Sequence, residues 1–213
     1  MPVTTATIGD ITLTCDIARE GDTIVFTYSL TNQGRAAMLV LDAVPRANPN
    51  TGRHTADPGA VTIWLGADNQ AHVLKGTAPL PEGADPEAPI LPLGTRLESG
   101  KRLDRRHSER LPLAEHSPYI PTGLLSEYRL APIQGVALTV EILPALPGLI
   151  AEARDIARGW WRISDAEAAA ALTQRLTCAF RARGLFMLAR LDAYPRPEPA
   201  PTPTTPVPSG NAV

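Results

Sequence analysis

The chain has 213 residues, of which 44% are hydrophobic, so one large domain can bury a core without metals or disulfides. Its 20 lysines and arginines nearly balance its 22 aspartates and glutamates, and the formal net charge is -2. This balance argues against nucleic acid as a partner.

The ends of the chain and its cysteines carry further expectations. The N-terminus has no basic segment followed by an apolar one, and no later stretch has about 18 apolar residues. We therefore expect a soluble cytoplasmic protein without a membrane partner. Cys15 and Cys178 lie far apart and lack metal-ligand spacing, so two free, buried thiols are predicted.

The first predicted element is an antiparallel hairpin. Residues 11–17 alternate between apolar and polar side chains, residues 20–22 supply turn chemistry, and residues 24–31 alternate again. The parity of the second strand places Phe26 and Tyr28 on the face that the first strand turns toward the core.

Later alternating segments predict a β-sandwich. A short apolar run before Pro45 is bounded as a strand should be, and the last alternating stretch is typical of a hairpin that turns at Gln134-Gly135. The segments are residues 36–44, 61–65, 71–75, 111–113 and 128–142. About seven short strands at this spacing are typical of a two-sheet sandwich.

Two proline-rich stretches interrupt or end the pattern. Five prolines in residues 79–92 exclude both a helix and a central strand there. From Pro195 onward prolines alternate with small residues, which predicts a disordered tail over residues 195–213.

After Pro144 the composition changes. Residues 166–175 are alanine-rich, and Ser164 with Glu167 forms a capping-box pattern that predicts the start of a helix. Residues 185–191 are apolar on both parities, so they form either a strand covered on both faces or a helix, and we favour the strand.

One segment carries a family resemblance. Residues 21–34 place alternating hydrophobic and aromatic side chains, including Phe26 and Tyr28, before an Asn32-Gln33-Gly34 turn. This segment resembles a strand and turn of immunoglobulin-like domains, including those similar to bacterial intracellular proteinase inhibitors. The resemblance implies a fold and carries no functional residues with it.

No motif points to catalysis or to a cofactor. Nucleotide-binding glycine loops, zinc-protease and serine-hydrolase motifs and paired Cys-x-x-Cys sequences are all absent, so we expect no catalytic residue, cofactor or metal. The best available metal set is His107 and His116 with Glu109 and Glu115, and the preferred interpretation is that these are solvated loop residues.

A basic run spans residues 96–110, where Arg102, Arg105 and Arg106 are candidate partner-binding residues. Such a patch could bind phosphate or an acidic protein. The competing and preferred interpretation is an edge strand that its charges protect against edge-to-edge pairing.

Trp160 and Trp161 are the second candidate partner-binding pair. Adjacent side chains on a strand point to opposite faces, so at most one of them is a simple core anchor. An exposed tryptophan would anchor a partner or a second subunit, whereas the preferred interpretation wedges both rings between the sandwich and its C-terminal appendage.

The sequence as a whole predicts a mainly β fold. We expect an immunoglobulin-like antiparallel sandwich over residues 1–144, a C-terminal α/β appendage over 145–194 and the tail. The expected function is a non-catalytic protein-binding or adaptor module with an unknown protein partner. The alternatives are an enzyme whose site is built from loops, with His54 or His116 as base, and a structural subunit that forms a homo-oligomer.

Overall fold

The computed structural model describes residues 3–48, 50–80, 90–119, 127–156 and 158–191. Within these residues the chain forms fourteen strands and one short helix, so the predicted mainly β fold is confirmed. The proposed tail, residues 195–213, and residues 81–89 of the proline-rich loop lie outside the described residues.

The elements follow one another in this order. The first seven strands are β1 (Thr4–Ile8), β2 (Ile11–Glu20), β3 (Thr23–Asn32), β4 (Met38–Ala47), β5 (His54–Asp57), β6 (Thr62–Leu65) and β7 (Gln70–Lys75). The next are β8 (Leu93–Leu97), β9 (Arg102–Arg110), β10 (Leu113–Ala114), β11 (Tyr128–Pro144), β12 (Ile150–Glu152) and β13 (Trp160–Ile163). Helix α1 (Ala166–Leu172) and strand β14 (Gln174–Arg190) complete the described chain.

The smaller sheet has four strands in the order β1-β2-β3-β9, all antiparallel. The predicted first hairpin is present as β2 and β3, with Cys15 opposite Tyr28 and Ile17 opposite Phe26. Phe26 and Tyr28 are buried in the same core as Leu13, so the predicted parity is confirmed.

The larger sheet runs β10-β14-β11-β4-β8-β13-β12, and its centre is the long pair formed by β11 and β14. Strand β7 also lies beside β11, in parallel, and β6 pairs with β7, so the predicted strand segments 61–65 and 71–75 form a hairpin. The two sheets pack face to face around a shared hydrophobic core, as in a β-sandwich. The expected free thiols, Cys15 and Cys178, are both buried in it.

The predicted last hairpin is wrong. Residues 128–144 form one continuous strand, β11, and Gln134-Gly135 is a bulge at which its register with β14 shifts. A β-carbon on Gly135 would lie 2.5 Å from the carbonyl oxygen of Phe180. The glycine therefore marks a close approach of two backbones within a ladder, which resembles a turn signal in sequence.

The C-terminal segment joins the larger sheet. The predicted helix is present, but Asp165 rather than Ser164 caps it, because the Asp165 carboxylate accepts a hydrogen bond from the Ala168 amide. Residues 185–190 are strand, as we favoured, and pair with β11. Strands β12 and β13 extend the sheet beyond β8, while Ala169 of α1 packs against its outer face.

Helix α1 has seven residues, and the described residues contain no helix that is long and apolar enough to cross a membrane.

Candidate functional site

The basic run forms β9, an edge strand of the smaller sheet whose exposed arginines are paired with acids. Arg102 lies 2.7 Å from Asp104 on the same strand, and Arg106 lies 2.9 Å from Glu20. These side chains cover the outer face of a long edge with alternating charge, as edge strands protected against aggregation do. Arg102 and Arg106 are therefore placed together, each with a carboxylate from the chain itself.

Arg105 points the opposite way, into the sandwich. Its Nε donates to Oδ2 of Asp42 at 2.7 Å, and its Nη2 donates to the Thr95 hydroxyl at 2.8 Å. The Asp42 side chain is only 1% exposed, whereas Arg105 retains 28%. Since Arg105 belongs to the smaller sheet and Asp42 to the larger, the pair joins the two sheets across the core.

Burial perturbs the charged groups around this pair. Desolvation raises the pKa of Asp42, although Arg105 and Thr95 favour its ionised form. Desolvation lowers the pKa of Lys75 to about 8, against the attraction of Asp42. Burial and the charge of Asp42 raise the pKa of Tyr28. pKa shifts of this kind also occur at catalytic sites. Whether these groups can act on a substrate therefore depends on whether a substrate can reach them.

The cluster is closed by its own hydrogen bonds. The Lys75 ammonium donates to the carbonyls of Pro58 and Ala60, and Lys75 is 1% exposed. A nucleophile or base must reach a substrate, and this ammonium faces backbone carbonyls instead. The arrangement of Asp42, Arg105 and Lys75 therefore acts as an ionic clamp between the sheets.

Trp160 and Trp161 lie on β13 and point to opposite faces. Trp160 packs with Leu93 and Ala153, and Trp161 packs with the residues under α1. The Arg96 guanidinium carbon lies 5.3 Å from the centre of the Trp161 ring, within cation–π distance. Both rings are half-buried and therefore anchor the C-terminal segment to the larger sheet.

The histidines do not assemble a site. His107 Nε2 lies 2.9 Å from Oε1 of Glu109, at an angle too poor for a hydrogen bond, whereas Glu115 accepts hydrogen bonds from the Leu65 and Arg190 amides. Among the described residues no group of three His, Cys, Asp or Glu could hold a metal ion. His116 lines a cleft of about 30 Å³, which has room for a water molecule and is far smaller than the pockets that bind organic substrates.

A different surface lies at one end of the β11–β14 pair. We call this end, residues 128–133 of β11 and residues 185–190 of β14, the ribbon. Its inner face, including Ile133 and Met187, is buried in the core. Its outer face carries apolar side chains in direct cross-strand register, with Leu130 opposite Leu188 and Pro132 opposite Phe186. We call these four residues the outer stripe.

The outer stripe is open to solvent. Leu130 is 58% exposed and Phe186 is 44% exposed, Pro132 is also exposed, and Leu188 is partly covered. Side chains directly opposite each other on a sheet lie about 4.5–5.5 Å apart at their β-carbons, so the four form one contiguous patch. Ala114 of β10 pairs with Leu188 and is exposed, which widens the patch to three strands.

Arginines flank the outer stripe along β14. Arg181 and Arg183 precede it and are exposed, and Arg190 follows it. The side chains of Arg181 and Arg183 form no hydrogen bond or ion pair with any described residue. The uncovered apolar patch of the ribbon therefore lies beside two guanidinium groups, those of Arg181 and Arg183, that pair with no described carboxylate.

The sequence contained signals for both the stripe and the clamp. Residues 185–191 are apolar on both parities, which we explained by cover on both faces, although one face is uncovered. The misplaced hairpin turn also hid the register of Leu130 with Leu188. Asp42 and Lys75 each break or end an apolar run, and a charge in that position is the usual sign of a buried ion pair.

No protein-family model matches the chain, and the comparisons found no curated protein and no solved structure with significant similarity to it.

Proposed function

We propose that the chain is a non-catalytic protein-binding module that binds its partner through the outer stripe of the ribbon. We further propose that its sandwich is immunoglobulin-like. The observation that carries the proposal is the exposure of Leu130 and Phe186 in register with two further apolar side chains.

Leaving such a patch in water is unfavourable. Burial of apolar surface stabilises a complex by about 25 cal/mol per Å², and contiguous exposed patches mark interaction sites more often than single exposed residues do. A rigid β-ribbon also loses little conformational entropy on binding, because its other face is already packed in the core. The outer stripe therefore has the properties of an interface centre.

The residues that the sequence suggested for binding already have contacts within the chain, and this supports the choice of the outer stripe as the binding surface. Arg102 and Arg106 have acidic partners within the chain, and Arg105 belongs to the ionic clamp. Trp160 and Trp161 are occupied in packing. A partner at any of these positions would first have to displace an existing contact, whereas the outer stripe needs only to lose water.

Site-specific photo-crosslinking tests the proposal. Phe186→benzoylphenylalanine places a photoreactive group in the stripe, and Ser108→benzoylphenylalanine places it on the exposed face of β9 as a control. In a lysate of the organism that naturally contains the protein, we expect a discrete adduct from position 186. This adduct should be lost when the same chain also carries Leu130→Ser. Equal adducts from both positions, or an adduct unaffected by Leu130→Ser, would contradict the proposal.

A further inference from the structure

We infer that the outer stripe is covered reversibly by a proline-rich segment of the same chain, residues 194–201, which a partner must displace. We call these residues the covering segment. The inference rests on the proposed function and specifies how the same surface is regulated. It joins three observations: the apolar surface of the stripe, the point at which strand β14 ends, and the sequence that follows that strand.

The stripe has the kind of surface that binds proline-rich segments. Leu130 and Phe186 are exposed hydrophobic side chains, and Pro132 lies directly opposite Phe186. Tyr128 precedes Leu130 by two residues, so it belongs to the same face of β11, and it is half-buried. Proline-rich segments bind in apolar grooves lined by aromatic side chains. The stripe and the adjoining Tyr128 together supply two aromatic rings for such packing.

The end of β14 lies beside this surface. The strand ends at Arg190, and the Leu191 amide donates a hydrogen bond of 2.9 Å to the carbonyl of Glu127, the residue before Tyr128. The three residues that follow Leu191 can span about 10 Å of extended chain. The row of Leu188 and Leu130 lies two residues back along β14, at about 7 Å. The covering segment can therefore begin over the stripe itself.

The sequence and length of the covering segment suit this role. Every second residue from Pro195 to Pro203 is proline, a pattern that favours the polyproline II helix with its rise of about 3.1 Å per residue. Eight residues in this conformation extend over about 22 Å, whereas the two cross-strand rows of the stripe lie only about 7 Å apart. A segment that is already extended loses little conformational entropy when it docks.

The covalent connection favours the chain's own segment over the same segment of a second copy. A short tether gives an effective concentration on the order of millimolar, far above the concentration of a dilute protein. Weak contacts are then sufficient to cover the stripe for much of the time, and a partner with stronger contacts can still displace the segment. The extent of covering should therefore be independent of protein concentration.

Intramolecular photo-crosslinking in the purified full chain tests the inference. Phe186→benzoylphenylalanine places the photoreactive group in the stripe, and peptide mass spectrometry locates its cross-links. The test variant P195S/P197S/P199S removes three prolines from the covering segment. The matched control P203S/P206S/P208S removes three prolines beyond it and leaves the connection to β14 unchanged.

We expect a cross-link from position 186 to residues 194–201 within one chain, at a yield that does not change with protein concentration. This yield should fall at least about fivefold in the test variant and less than about twofold in the control, because only the test variant disrupts the docked prolines. In the lysate, the test variant should raise the partner adduct from position 186 by about threefold to fivefold, since a larger fraction of chains then has a free stripe.

The absence of a cross-link to residues 194–201, or equal losses in the two triple variants, would overturn the inference. A cross-link that joins two chains and rises with protein concentration would assign the stripe to a second copy. If the lysate adduct depends on Leu130 but is the same with and without P195S/P197S/P199S, the proposed function stands and covering by the segment is wrong. An intramolecular cross-link without any Leu130-dependent lysate adduct, even in the test variant, would instead contradict the proposed function, because the stripe would then serve the fold alone.

Discussion

Strands β9 and β14 both carry several arginines, yet the structure places Arg102 and Arg106 differently from Arg181 and Arg183. On β9, Arg102 and Arg106 have carboxylates on the outer face and Arg105 joins the sheets through Asp42. On the ribbon strand β14, Arg181 and Arg183 have no acidic partner in the described chain and stand beside exposed apolar side chains. The carboxylates that the fold supplies thus decide which of these arginines are paired within the described chain.

The largest effect is expected at the clamp on the inner face of β9. Asp42→Ala removes the carboxylate from Arg105 and should cost about 3 to 5 kcal/mol in the free energy of unfolding, because it leaves a largely buried charge uncompensated. Urea denaturation measures this cost. Asp104→Ala, which removes the exposed partner of Arg102, is the matched control and should cost about 1 kcal/mol or less.

The pH dependence of stability gives a second test of the buried charges between the sheets. Because the pKa of Lys75 is lowered from 10.5 to about 8 in the folded chain, the unfolded chain binds more protons between these values. Stability should therefore rise with pH across this window, and that gain should be lost as pH falls back to about 8. The rise attributable to Lys75 is about 3 kcal/mol, at 1.36 kcal/mol per pKa unit.

Comparison with Lys75→Met isolates this contribution. Burial raises the pKa of Cys178 to about 11, so its thiol stabilises the fold below its unfolded pKa and loses that effect as pH rises. The cysteines are present in both proteins, and their effect cancels in the difference. Parallel stability curves for wild type and Lys75→Met between pH 8 and pH 10.5 would contradict a buried, desolvated Lys75.

Removing an ion pair from the outer face of β9 should lower the free energy of unfolding only slightly. Glu20→Gln removes the partner of Arg106, and since the two side chains are 58% and 61% exposed, the loss should be about 0.2 to 1 kcal/mol. High salt should reduce the difference further. A cost above about 2 kcal/mol, measured by urea denaturation, would mean that this pair is part of the structural core rather than a charged edge.

The smallest effect on stability is expected at the outer stripe. Leu130→Ser should change the free energy of unfolding by less than about 0.5 kcal/mol, because the side chain is 58% exposed and lies outside the core. Met187→Ala on the inner face of the same ribbon, where the side chain is fully buried, should cost about 2 to 5 kcal/mol. Similar losses for the two variants would show that the stripe is covered in the folded chain.

Local alternation predicted much of the architecture and little of the site. Residues 11–17 and 24–31 form a hairpin whose parity and turn are both encoded locally, so the prediction from sequence was confirmed. The clamp joins Asp42 to Arg105 across 63 positions, and local patterns carry no information about such a contact. The stripe depended on the register between β11 and β14, which a glycine bulge disguised as a turn.

The most direct test of the contrast between the two strands is a two-dimensional ¹⁵N–¹H NMR titration of the chain with a short peptide in which glutamate alternates with leucine. We expect the largest shift changes at the amides of residues 128–131, 133, 181, 183 and 185–190, with the amides of β9 unmoved apart from uniform salt effects. Shift changes concentrated on residues 102–110, with the ribbon unaffected, would contradict the assignment of the outer stripe as the binding surface.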